Sequence, residues 1–116
     1  MLEKEIERGL VASIKALGGL CLKFVTPGFT GVPDRIILLP GGRVAFVELK
    51  QPGKHERPRQ RFVQKLLRKL GFKVYSTVDS VAKVKAIVRE CEEAISGGTS
   101  LSAVAVSATR GGNDSE

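Results

Sequence analysis

The chain has 116 residues, which suits one small domain with one core and leaves no room for a second. Its formal charge of +7 and isoelectric point near 9.8 favour a polyanionic partner, nucleic acid or an acidic membrane surface. Several classes are excluded: no apolar run approaches the ~20 residues that span a bilayer, and the opening MLEKEIERGL is too acidic and too periodic for a signal or transit peptide. With no Trp and one Tyr, the chain also lacks the aromatic-rich face that membrane-surface binding prefers. The expectation is a soluble cytoplasmic protein.

In chain order, Leu2, Ile6, Leu10, Ile14 and Leu17 recur every three or four residues, which predicts an amphipathic helix ending near Gly18 and Gly19. Glu3 and Glu7 flank its apolar stripe and Glu5 points away. Leu20 to Val25 reads as a strand, with Lys23 toward solvent, and Thr26 to Gly31 as a Gly/Pro loop. Cys21 and Cys91 have no metal-ligand spacing and lie in apolar patterns, which predicts buried free thiols. The lone His55, in a polar segment, reads as solvated.

The stretch Gly31 to Lys50 predicts a β-hairpin with arms Arg35–Leu39 and Arg43–Lys50 around Pro40-Gly41-Gly42. A three-residue loop puts Leu39 across from Arg43 and Asp34 across from Glu48. Side chains so placed have Cβ atoms roughly 5 Å apart, close enough for two carboxylates to share a cation. Glu48 and Lys50, two apart, project from the same face. Pro33 donates no hydrogen bond and keeps Val32 extended, so pairing should start at about Asp34. The apolar neighbours Ile36, Phe46, Val47 and Leu49 make isolated carboxylates costly unless they are protonated, paired or metal-bound.

After Lys50 comes a turn, then a second helix with Pro58 in its first turn and Gly71 as C-terminal cap; Phe62, Val63, Leu66, Leu67 and Leu70 are its expected buried stripe. Lys54, Arg57, Arg59, Arg61, Lys65 and Arg68 give this region a cationic surface interrupted by one acid, Glu56, and with Arg35 they are the expected DNA contacts. Phe72 to Val78 reads as a last strand. Asp79 or Ser80 caps a final helix with Val81, Val84, Ile87, Val88, Cys91 and Ile95 inward. Residues 1–96 are the expected domain and 97–116 a flexible tail, in which Leu101, Val104 and Val106 are apolar enough for a short strand or a partner contact.

Pro33-Asp34 followed by Glu48-Leu49-Lys50 resembles the PD-(D/E)xK signature of restriction-endonuclease-like nucleases. Gly31 to Arg35 with Phe46 to Lys50 resembles the virus-type replication-repair nucleases, the VRR-NUC branch, and the element order αβββαβα agrees from about Glu3 to Val88. The resemblance implies an α/β fold, the restriction-endonuclease-like αβββαβ core with a mixed central sheet flanked by helices. It implies a deoxyribonuclease using Mg²⁺ or Mn²⁺, with Asp34, Glu48, the Leu49 carbonyl and Glu7 as ligands, Lys50 catalytic and Gln60 a supporting polar group. It further implies a homodimer acting on branched DNA such as four-way junctions, in the cytoplasm of a bacterial or phage-infected cell. A different class stays open on the residues alone: a non-catalytic DNA- or RNA-binding module whose acids are structural, which would bind without metal and cut nothing.

Overall fold

The computed structural model describes residues 3–102. Seven elements follow in order: α1 (Glu3–Ala16), β1 (Leu20–Lys23), β2 (Arg35–Leu39), β3 (Arg43–Leu49), α2 (Pro58–Lys69), β4 (Lys73–Val78) and α3 (Val81–Gly97). The order matches the predicted one, although β1 stops at Lys23 and β3 at Leu49. The strands make one sheet in the order β1-β2-β3-β4, antiparallel except for the parallel β3–β4 pair, which needs the crossover that α2 provides. This is the mixed sheet with flanking helices of the restriction-endonuclease-like fold.

Alternation along the strands sorts the core. Cys21, Ile37, Leu39, Ala45, Val47 and Leu49 face α1 and α3, where Ile6, Leu10, Ile14, Val84, Ile87, Cys91 and Ala94 close over them. Cys21 and Cys91 are buried free thiols. Ser80 caps α3, its Oγ accepting from the Lys83 amide at 3.2 Å, and Val81, expected inward, is exposed in the first turn. Leu101, expected in a flexible tail, is buried against this core; Val104 and Val106 lie outside the described residues. Its burial also removes Leu101 as a candidate partner contact.

On the opposite face Phe46 packs between Phe24 and Phe72, with ring centroids 5.3 and 5.4 Å away. Here α2 leans on β4, and its burial differs from the predicted stripe: Val63 and Gln64 are buried, whereas Phe62, Leu66 and Leu70 are exposed, Leu70 by 72%. The helix touches the sheet along the narrow line Gln60-Val63-Gln64-Leu67. At 100° per residue, Phe62, Leu66 and Leu70 lie about 110° round on one flank and Arg61, Lys65 and Arg68 about as far on the other.

Among the described residues, no helix is long and apolar enough to cross a membrane.

Candidate active site

Glu48 sits between two core residues, so alternation turns its side chain to the α2 side of the sheet. There it is 1% exposed. A buried carboxylate needs partners, and Glu48 Oε2 has two: Gln60 Nε2 donates to it at 2.9 Å and Lys50 Nζ stands 3.2 Å away. Oε1 is buried without a hydrogen-bond partner. Burial first, and the nearby Asp34 charge second, push the Glu48 carboxyl up to about 7, against the pull of Lys50.

The hairpin carries Asp34 to the same place. Its register runs from Leu39↔Arg43 to Arg35↔Val47, and one step further Asp34 Oδ2 accepts from the Leu49 amide at 2.9 Å. Partial burial raises the Asp34 carboxyl above its ordinary value, outweighing the Leu49 hydrogen bond and the Lys50 charge that lower it. Lys50 Nζ donates to Gln60 Oε1 at 3.0 Å, and the same oxygen accepts from the Arg57 amide at 2.8 Å. Gln60 thus ties the start of α2 to Glu48 of β3 and to Lys50 just beyond its end.

Glu7 is held apart from this pair. Its Oε2 accepts from Arg35 Nε at 2.7 Å, and Arg35 also donates to the Cys21 carbonyl at 3.1 Å, so Arg35, expected at DNA, is engaged inside the protein. Glu7 still contributes to raising Asp34 through its charge. Among the described residues no three His, Cys, Asp or Glu side chains gather at metal-ligand spacing.

The cations divide between the flanks of α2. Arg61, Lys65 and Arg68 line a cleft of about 460 Å³ with Glu56, Phe62, Gln64 and Ser76. Arg59 lies on the other flank, donating to the Thr30 carbonyl at 3.0 Å. Lys54 and Arg57 are exposed on the loop before α2.

Sequence reasoning missed one pair. Between Val47↔Tyr75 and Leu49↔Val78, β4 spends one residue more than β3, a bulge opposite Glu48, and Thr77 there takes a left-handed φ of 52°. The bulge frees the Thr77 amide and hydroxyl to donate to the Glu56 carboxylate, each at 2.6 Å. Burial acts to raise Glu56, but these hydrogen bonds outweigh it and hold its carboxyl below the ordinary value. The one signal in the sequence was a single acid in an otherwise basic stretch.

No family profile matches the chain. The curated protein described as "Putative nuclease p44", from Acyrthosiphon pisum secondary endosymbiont phage 1, is 48% identical over 58 residues, which span 50% of this chain and 62% of that relative. A solved structure described as "VRR_NUC domain" superposes with a TM-score of 0.70 at 31% identity, covering 75% of this chain and 94% of that one. With that likeness in both sequence and fold, the chain belongs to the VRR-NUC domain family.

Proposed function

We propose that the protein is a divalent-metal-dependent, structure-selective DNA endonuclease. The observation that carries this reading is the convergence of Asp34, Glu48, Lys50 and Gln60, with one Glu48 oxygen buried and unpartnered. Two carboxylates whose proton affinities are both raised, Glu48 in part by the Asp34 charge and with one oxygen free, fit a hard cation that would neutralise both. Asp34, Glu48 and the Leu49 carbonyl would hold Mg²⁺ or Mn²⁺, with Glu7 joining only if its Arg35 pair opens. When bound, such an ion polarises a phosphate and acidifies a coordinated water.

The chain's own groups do the rest. Lys50, paired with Glu48, orients the attacking water or meets charge developing on the phosphate oxygens. Gln60 fixes Lys50 and Glu48 relative to each other, so neither must reorganise during the reaction. Arg61, Lys65 and Arg68 hold the strand electrostatically.

The proposal extends to a homodimer acting on four-way junctions. The edge strand β1 leaves Leu20 and Leu22 exposed, with Val25 just beyond it, an apolar edge that a two-fold partner would cover. The test is incubation with four-way, flapped and linear DNA, with and without Mg²⁺ or Mn²⁺, beside light scattering at micromolar concentration. Metal-dependent cleavage supports the nuclease, and preference for the junction by a dimer supports the finer reading. Metal-independent binding with no cleavage would leave only the DNA- or RNA-binding module.

A further inference from the structure

We propose that Phe29, Arg59 and Phe62 form a stacking platform for an unpaired nucleobase beside the reacting centre, so that this protein selects strands with single-stranded character. The inference rests on the nucleic-acid reading above and adds the feature of the substrate that is recognised. Phe29 and Phe62 are the most exposed of the five phenylalanines, at 45% and 49%. The Arg59 guanidinium lies over both rings, 4.8 Å from the Phe29 centroid and 5.4 Å from that of Phe62. Two half-open rings joined by a planar cation offer a continuous π-surface.

The platform is built into the backbone. Thr26-Pro27-Gly28-Phe29 forms a turn in which the Phe29 amide donates to the Thr26 carbonyl at 3.4 Å and Thr26 Oγ1 donates to the Phe29 carbonyl at 2.6 Å. Pro27 presets the second position and Gly28, at φ +80°, takes the third. Gly31, at φ +90°, lets the Arg59 stem cross the loop, since a Cβ there would meet Arg59 Cγ at 2.7 Å. Arg59 Nε on the Thr30 carbonyl completes the clamp.

Its position and charge name the occupant. A cleft of about 330 Å³ lined by Thr30, Gly31, Arg57, Arg59 and Gln60 runs beside it, and Gln60 is the residue bonded to Glu48 and Lys50. A base on the platform therefore lies one cleft from the carboxylates. Arg57 and Arg59 suit a phosphodiester backbone, whereas a second copy of this chain docked by the same face would set these cations against their own counterparts. Bases paired in a duplex keep their faces against each other; unpaired ones are free to stack on aromatic and guanidinium surfaces.

Binding is measured without metal, so that cleavage plays no part, using a single-stranded oligonucleotide carrying 2-aminopurine and a blunt duplex of the same sequence at one salt concentration. For the Phe29→Ala/Phe62→Ala variant we expect single-strand affinity to fall about tenfold or more, 2-aminopurine quenching to be lost, and duplex affinity to stay within about twofold. The Phe29→Tyr/Phe62→Tyr variant should restore both single-strand readouts. Equal losses on the two DNAs, no loss on either, or a changed oligomeric state with unchanged single-strand affinity would overturn the platform while leaving the nuclease reading intact. Wild-type protein that binds neither DNA would overturn both.

Discussion

Gln60 donates to Glu48 across the gap between α2 and β3, at 2.9 Å. Its other amide atom accepts from Lys50 at 3.0 Å, so one neutral side chain fixes the spacing of an anion and a cation. Hydrogen bonds to charged groups contribute about 1.5–3 kcal/mol. Gln60→Leu should therefore lower kcat by about 10- to 100-fold with a smaller change in KM. Single-turnover cleavage kinetics check this, and an unchanged rate would show that Lys50 and Glu48 need no bridge.

Glu48 gives the metal-free protein a pH signature. Its folded carboxyl titrates at about 7 against an ordinary value of 4.5, so between those values the native state holds a proton that the unfolded chain releases. Stability should then fall as pH rises from 4.5 to 7, by at most roughly 3 kcal/mol. In Glu48→Gln this component should vanish. Urea titrations in EDTA across the window measure it, and parallel wild-type and variant curves would contradict the assignment. Mn²⁺ affinity, read by calorimetry, should weaken below pH 7 for the same reason, since the ion must displace that proton.

The Glu56–Thr77 contact is a structural clamp. Removing the carboxylate leaves the Thr77 amide and hydroxyl without partners at a bulge whose backbone is already left-handed. Glu56→Ala should cost about 2–4 kcal/mol by denaturant unfolding. Faster hydrogen exchange at the Thr77 amide should accompany it. A loss below about 1 kcal/mol would mean that the bulge is held by other contacts.

The basic flank of α2 is a matter of electrostatics. Neutralising Arg61, Lys65 and Arg68 together should reduce the slope of log affinity against log salt by up to about 3 on duplex DNA. Filter binding from low to moderate salt tests it, and a wild-type slope would take the DNA off this flank.

How much of this was legible in the sequence depended on how local the cause was. The hairpin register followed from Pro40-Gly41-Gly42, and the direction of Glu48 from the apolar residues on either side of it. The α2 stripe was misread because five apolar residues suggested a broad buried face, whereas the helix packs chiefly on β4 and buries Gln64 while leaving Phe62, Leu66 and Leu70 exposed. Glu7 and Arg35 meet across 28 positions, and no spacing rule announces that pair. The bulge at Thr77 carried no signal, since a β-branched residue is a poor candidate for positive φ.

On the proposed reading, Asp34, Glu48 and Lys50 hydrolyse phosphodiester bonds with a divalent cation. Its most direct test is cleavage of a labelled four-way junction by wild-type, Asp34→Ala, Glu48→Gln and Lys50→Ala proteins, each confirmed folded, with Mn²⁺ and with EDTA. Cleavage is expected from the wild type in Mn²⁺ alone, with a loss of at least about a hundredfold in every variant. Cleavage in EDTA, or wild-type rates from Asp34→Ala or Glu48→Gln, would contradict it.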